Sequence, residues 1–225
     1  MDSEVRILPP AFNNMIKKEK KILYLILIVS LLSFILILQN LSSFLLGNID
    51  KQINSSVQQI QFPALVLLSK IVSNIFEPSF FILFFLVVIG ILAYKKRKIE
   101  AVALLIFALL SFGLGQLIKI IVHRQRPLDA LISEASFSFP SGHALMALVF
   151  FGALIYLFGH HVKSVKGKRL LTVLATLLIL IISFSRIILN AHWFSDTLGS
   201  LALGTFLLTL FALIANRIGI FRKRS

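Results

Sequence analysis

Six stretches of the chain approach the roughly 20 apolar residues that a helix needs to cross a hydrocarbon core. They are residues 22–38, 78–94, 101–118, 144–158, 170–189 and 197–215. In lipid every backbone N–H and C=O must be satisfied within its own segment, so all six are expected to be helices. The chain is therefore expected to be all-α, a polytopic integral membrane protein with six transmembrane helices. Of its 225 residues, 58% are hydrophobic and 14% charged, against a charged fraction of about a quarter in soluble domains. The first stretch has a basic flank like a signal peptide, but its apolar core is too long and no small-residue cleavage site follows, so it is expected to stay as an anchor. Residues 62–94 would make a single helix of about 48 Å, too long for one span. Pro78 is expected to divide it and leave residues 62–76 as an interfacial helix between spans one and two. The 21 Phe residues read as lipid-facing mass. The loops are too short for a separate soluble domain, so residues 1–225 read as one membrane-embedded domain with short tails, 1–21 and 216–225.

The formal charge of +14 raises the choice between a nucleic-acid surface and basic residues that bracket membrane spans. Distribution decides for the membrane and against nucleic acid: 17 of the 23 Lys and Arg fall in four blocks, residues 6–21, 95–98, 163–169 and 217–224, each beside an apolar run. Six spans put those four blocks on one side. Both termini are therefore predicted to be cytoplasmic, with residues 39–61, 119–143 and 186–196 facing outward. There is no cysteine, which removes disulfides, thiolate metal sites and thiol nucleophiles.

Lys119, Arg124, Arg126 and Arg186 break the charge rule, and they lie in the outward segments that hold His123, His143 and His192. A Lys or Arg at the bilayer centre costs about 2.5–3.5 kcal/mol, so four together are expected at helix ends around a wet cavity. There they would trap an anion. In the segment "FPSGHA", Ser141 is placed to cap the fourth span, while Gly142 and His143 offer backbone amides at a helix N-terminus. His192 and Asp196 are spaced i,i+4 and so share a helix face. An imidazole whose other nitrogen donates to a carboxylate is a competent nucleophile, and a second imidazole, His143, could act as general acid and then as base for water. Lys119, Arg126, Arg186, Ser141 and Gly142 would hold the oxygens of a transferring phosphoryl group. The nine acids are too few and scattered for a two-metal site, so neither metal nor cofactor is expected.

The three segments resemble the tripartite signature of the type 2 phosphatidic acid phosphatase superfamily. Lys119, six residues, Arg126-Pro127; then Pro140-Ser141-Gly142-His143; then Ser185-Arg186, five residues, His192, three residues, Asp196 follow it in order and spacing. The resemblance implies a phosphohistidine formed on His192, proton donation by His143, phosphate binding by Lys119, Arg126, Ser141, Gly142 and Arg186, metal independence, and a lipid phosphate or diphosphate as substrate in a cell membrane. Phosphatidylglycerophosphate, undecaprenyl diphosphate and phosphatidic acid would all satisfy it, because the signature reads phosphate and not tail. Two alternatives stay open: a phosphotransferase that uses the same intermediate, and a transporter of lipid phosphates that does no chemistry. Oligomeric state is not readable from the sequence. Two positions depart from the family pattern, Asn190 for Gly and Phe194 for Pro. Asn tolerates a left-handed backbone, so Asn190 is expected to keep the turn or to cap the last helix.

Other residues have plainer readings. His123 is expected to be a polar helix-end residue, and His160 and His161 a solvated turn beside a basic loop. Trp193 is expected to be an interfacial anchor. Lys70 and Glu77 read as an interfacial pair, with a place at the substrate entrance as the alternative. Arg124 is open between phosphate contact and support of other site residues, and Pro140 is expected to support the site.

Overall fold

A computed structural model describes residues 10–159 and 162–220. His160 and His161, and the basic residues Arg6, Arg222, Lys223 and Arg224, lie outside the described residues. The described chain forms eight helices: α1 (Pro10–Asn40), α2 (Phe44–Gln59), α3 (Pro63–Ile75), α4 (Pro78–Tyr94), α5 (Lys98–Val122), α6 (Gly142–Phe158), α7 (Val165–Ile188) and α8 (Phe194–Arg217). Four segments pass a test of length and apolarity for crossing a membrane: Lys20–Asn40, α5, α7 and α8. A fifth is the pair α3 and α4, bent by 47° at Pro78. The sixth expected stretch is α6, apolar but, at 17 residues, shorter than these. All six expected stretches are thus helical and the protein is multi-pass.

Proline explains the break. Pro63 and Pro78 each stand in the first turn of a helix, where their missing N–H costs nothing. The helix before Pro78 buries Ser69 and Ser73 and packs on α7. One departure is α2, which occupies the stretch expected to be an outward loop. Its N-cap Ser43 accepts a hydrogen bond from the Leu46 N–H at 3.2 Å, but a 16-residue helix rich in Asn, Ser and Gln has little propensity of its own. Packing against α7 and α8 holds it.

The centre of the bundle is α6, which touches α4, α5, α7 and α8. Lipid tails are as apolar as the side chains, so association of such helices depends on close contact rather than on escape from water. Between α6 and α8 the fit is reciprocal: a Cβ on Gly152 would stand 2.3 Å from Leu208 and one on Gly204 would stand 3.0 Å from Leu148. Between α4 and α6 the contact is phenylalanine. Phe81 lies within 5.7–6.3 Å of Phe84, Phe150 and Phe151, and Phe85 lies 5.0 Å from Phe150. The reading of Phe as lipid-facing mass is therefore corrected: Phe34, Phe81, Phe85, Phe107, Phe139 and Phe150 are buried core residues. Edge-to-face packing uses their flat faces in ways that lipid contact cannot.

Candidate active site

The ends of α3, α5 and α7 and the starts of α4, α6 and α8 meet at one rim of the bundle. A connection from 123 to 141 winds through them. It is irregular but pinned, because the Ser138 N–H donates to Arg124 O at 2.8 Å and the Leu131 N–H to Leu189 O at 2.9 Å. Buried Phe139 is its anchor, stacked 5.9 Å from Phe34 of α1 and set so close to Gly199 of α8 that a Cβ there would come within 2.5 Å of its ring. This lock seats Pro140, which follows a cis peptide bond, and Ser141 at the head of α6.

Lys119, one turn from the end of α5, is buried and donates to Phe137 O. Arg126 is held by Ser136 O at 2.7 Å and Ala191 O at 2.6 Å. Its Nη1 also stands 3.1 Å from Nε2 of His192. A guanidinium only donates, so Nε2 is the accepting nitrogen and the imidazole proton belongs on Nδ1. That nitrogen lies 3.5 Å from Oδ2 of Asp196. His192 sits in the short link between α7 and α8, and Asn190 begins that link with φ = 53°, the left-handed turn expected of it. It does not cap α8, whose N-cap is Trp193. Asp196 instead reaches back to accept from the Trp193 N–H at 2.9 Å, and it also accepts from Ser138 Oγ.

Burial, and then the nearby charges of Arg126, Arg186 and Lys119, push the His192 pKa well below the ordinary imidazole value. The ring is therefore held neutral, with an unprotonated nitrogen facing the cations. His143, in the first turn of α6, lies across the same cluster: its Nε2 is 3.1 Å from Ser73 O and 3.4 Å from Ser73 Oγ. Arg186 is wholly buried and donates to that same Ser73 Oγ and to Glu134. Glu134 also accepts from Arg126 at 3.0 Å. The contacts run from His143 through Ser73, Arg186, Glu134 and Arg126 to His192, so both imidazoles border one group of cations. Glu134 bridges two guanidiniums as a bound anion would. A cavity of about 410 Å³ lined by Ser73, Glu77, Phe112, Glu134 and His143 opens onto this place.

Ser141 stands at the N-cap of α6 but its hydroxyl makes no cap bond, which corrects the expectation from sequence. Ser141 Oγ and Arg186 Nε are buried without a partner among the described residues. A buried unpaired polar atom costs about 1–3 kcal/mol. Gly142 beside them lies so near Pro78 that a Cβ would meet the ring at 3.2 Å, which ties the start of α4 to that of α6.

Arg124 has both guanidinium ends engaged by protein groups. It donates to Asp196 Oδ1 at 2.5 Å, Ser195 Oγ at 2.7 Å and Asp50 Oδ2 at 2.7 Å. Trp193 is more than an anchor, since its Nε1 donates to Gln125 O at 2.9 Å and its ring lies under Arg124 at 5.7 Å. His123 is exposed at the C-cap of α5 with φ = 51°, a helix-end residue. Glu77 lines the cavity, while Lys70 is exposed on α3. Sequence reasoning missed Asp50, Ser73, Glu134 and Ser138. A signal existed for Asp50 and Glu134, which are acids isolated in segments read as outward-facing. The serines carried none.

A family model described as the PAP2 superfamily matches residues 100–220. Phosphatidylglycerophosphatase B of Bacillus subtilis (strain 168) is 31% identical over 150 residues, 65% of this chain and 73% of that protein. The crystal structure of a transmembrane PAP2 type phosphatidylglycerolphosphate phosphatase from Bacillus subtilis superposes with a TM-score of 0.78 at 26% identity, covering 88% of this chain and 98% of that one. The matched segment contains all three pieces of chain that converge at the rim, and on this ground the chain belongs to the PAP2 superfamily of membrane phosphatases.

Proposed function

We propose that the protein is a metal-independent lipid phosphatase, one membrane-embedded domain over residues 1–225, that removes phosphate from lipid phosphomonoesters or diphosphates through a phosphohistidine on His192. The observation that supports this reading is the approach of His192 Nε2 to the Arg126 guanidinium at 3.1 Å, with Nδ1 3.5 Å from an Asp196 oxygen and not yet hydrogen-bonded to it among the described residues. In the first step the Nε2 lone pair forms a bond to phosphorus and the bond from phosphorus to the lipid or diphosphate oxygen breaks. His143 gives that leaving oxygen its proton, and Asp196 stabilises the positive charge that appears on His192. In the second step His143 takes a proton from water, the hydroxide attacks phosphorus, and the P–N bond breaks to return neutral His192 and free phosphate.

Charge on the equatorial oxygens is met by Lys119, Arg126 and Arg186, by Ser141 Oγ and by the free amides that begin α6 at Gly142. Arg126 must leave Nε2 for a phosphate oxygen, and the substrate must take both guanidiniums from Glu134. With both termini cytoplasmic, the rim faces outward, and a lipid meets it with its tail still in the bilayer. Among lipids, the relative's name makes phosphatidylglycerophosphate the first to try. The test is phosphate release from a panel of lipid phosphates by purified protein in EDTA, with a phosphohistidine trapped by alkaline quench. A strict need for a divalent cation, or lipid movement without phosphate release, would refute the reading.

A further inference from the structure

The chemistry above draws nothing from α2, yet α2 buries two polar side chains. Asp50 and Asn54 are four residues apart, so they share one face of the helix, and they are 1% and 4% exposed on a helix whose Phe44 is 85% exposed. Asn54 reaches the link that carries His192, and Asp50 the first turn of α8 just beyond it. Asn54 donates to Asn190 Oδ1 at 2.5 Å. Asp50 accepts from the Ser195 N–H at 2.9 Å, from Ser195 Oγ at 2.6 Å and from Arg124 at 2.7 Å. One helix, remote in sequence, thus grips the chain on both sides of the nucleophile.

We infer that Asp50 is a positioning residue for His192, acting through Arg124 and Ser195 on Asp196, with Asn54 as its companion at Asn190. The inference rests on the nucleophile reading of His192. Arg124 stands between two carboxylates, giving Nη1 to Asp196 and Nη2 to Asp50. Without Asp50, the guanidinium has Asp196 as its one counterion and turns both nitrogens toward it, drawing that carboxylate from the imidazole. With Asp50 in place, Oδ2 of Asp196 accepts from Ser138 and the Trp193 N–H and stays 3.5 Å from Nδ1 of His192, within reach of the imidazolium that forms on attack. Asp50 also satisfies the Ser195 N–H, a first-turn amide of α8 that has no partner within the helix, and so sets how α8 enters the rim. The charged and titratable groups around this arrangement are Arg124 facing both acids, Lys119, Arg126 and Arg186 facing His192, Glu134 facing the two arginines, and His143 across the cluster. Lys51, next along α2, is exposed.

Steady-state kinetics of the detergent-purified protein test this with Asp50→Asn, Asp50→Glu, Asn54→Ala, Arg124→Gln and the double variant Asp50→Asn/Arg124→Gln. Asp50→Asn is expected to lower kcat about ten- to a hundredfold, the scale on which lost support of a ligating or reacting histidine is felt, while KM for the lipid phosphate stays within about twofold because no phosphate-holding cation is touched. The acid limb of kcat/KM moves to lower pH, since a carboxylate tied to Arg124 stabilises the imidazolium less. The double variant is no slower than Arg124→Gln, and Asp50→Glu recovers part of kcat. Asn54→Ala gives a smaller loss with the same pattern, and it and Asp50→Glu decide the matter if Asp50→Asn does not fold. Wild-type turnover in Asp50→Asn, multiplicative losses in the double variant, or a loss confined to thermal stability with kcat and the acid limb unmoved would overturn the inference. His192→Ala run beside them separates the two claims: turnover surviving there sinks the nucleophile reading, whereas a dead His192→Ala with a normal Asp50→Asn sinks this inference alone.

Discussion

The phenylalanine cluster between α4 and α6 and the polar rim around His192 join helices of the same bundle by different means. The cluster joins neighbours through faces of rings, with Phe81 and Phe85 packed on Phe150. The rim joins segments far apart in sequence through paired charges: Arg124 to Asp50 and Asp196, Arg126 and Arg186 to Glu134. In a low-dielectric interior a charge that loses its partner is expensive, so these pairs determine where each group stands more than how firmly the bundle holds together. Activity and stability should therefore separate between the two regions.

His192→Ala is the hardest test of that separation. Phosphate release is expected to fall about 10⁴-fold or more, as when a nucleophile acting with its partners is removed, with little change in the thermal midpoint; activity within tenfold of wild type would dissolve the distinction. Phe81→Ala is the opposite case, with about 3–5 kcal/mol of stability lost to a cavity and turnover per folded molecule kept, measured by thermal denaturation beside kinetics. Ser141→Ala sharpens the comparison, because its hydroxyl has no hydrogen-bond partner to lose among the described residues. It is expected to cost about 10²-fold in kcat, the scale of one lost transition-state donor, while leaving stability unchanged or slightly raised.

The pH profile reads the same region more gently. A folded pKa held below the ordinary imidazole value near 6.5 means that His192 stays unprotonated as pH falls through that value. The acid limb of kcat/KM should then lie below pH about 6.5, and a limb at or above it would show that the cations do not act on the ring. The smallest effect is expected from Glu134→Gln. Removing the carboxylate that bridges Arg126 and Arg186 should tighten inhibition by inorganic phosphate by about tenfold at most, or 1.4 kcal/mol, and weaker inhibition would show that Glu134 does not compete for the anion's place.

Legibility followed the range of the interactions. His192 and Asp196 share a helical spacing, and Asn190 is a residue type that accepts a left-handed backbone, so both could be read one after another along the chain. The helix break at Pro78 was equally local. Helix α2 was not, because its Asn, Ser and Gln residues favour caps and turns when alone, and only Ser195, Arg124 and Asn190, more than 70 residues away, give its buried face a purpose. Glu134 stood out only as an acid in an outward segment: its part could not be read until Arg126 and Arg186, from different segments, turn toward it.

From the sequence alone come the membrane character, the six apolar helices and the family of the three segments, since apolar length, basic flanks and residue spacing act within short windows of chain. The tertiary structure alone decided which of the phenylalanines face protein instead of lipid, that Arg124 pairs with both Asp50 and Asp196, and that α2 bonds to both sides of His192. Those outcomes depend on which charges and surfaces meet in three dimensions, and in a medium of low dielectric a charge takes its role from the partner it finds.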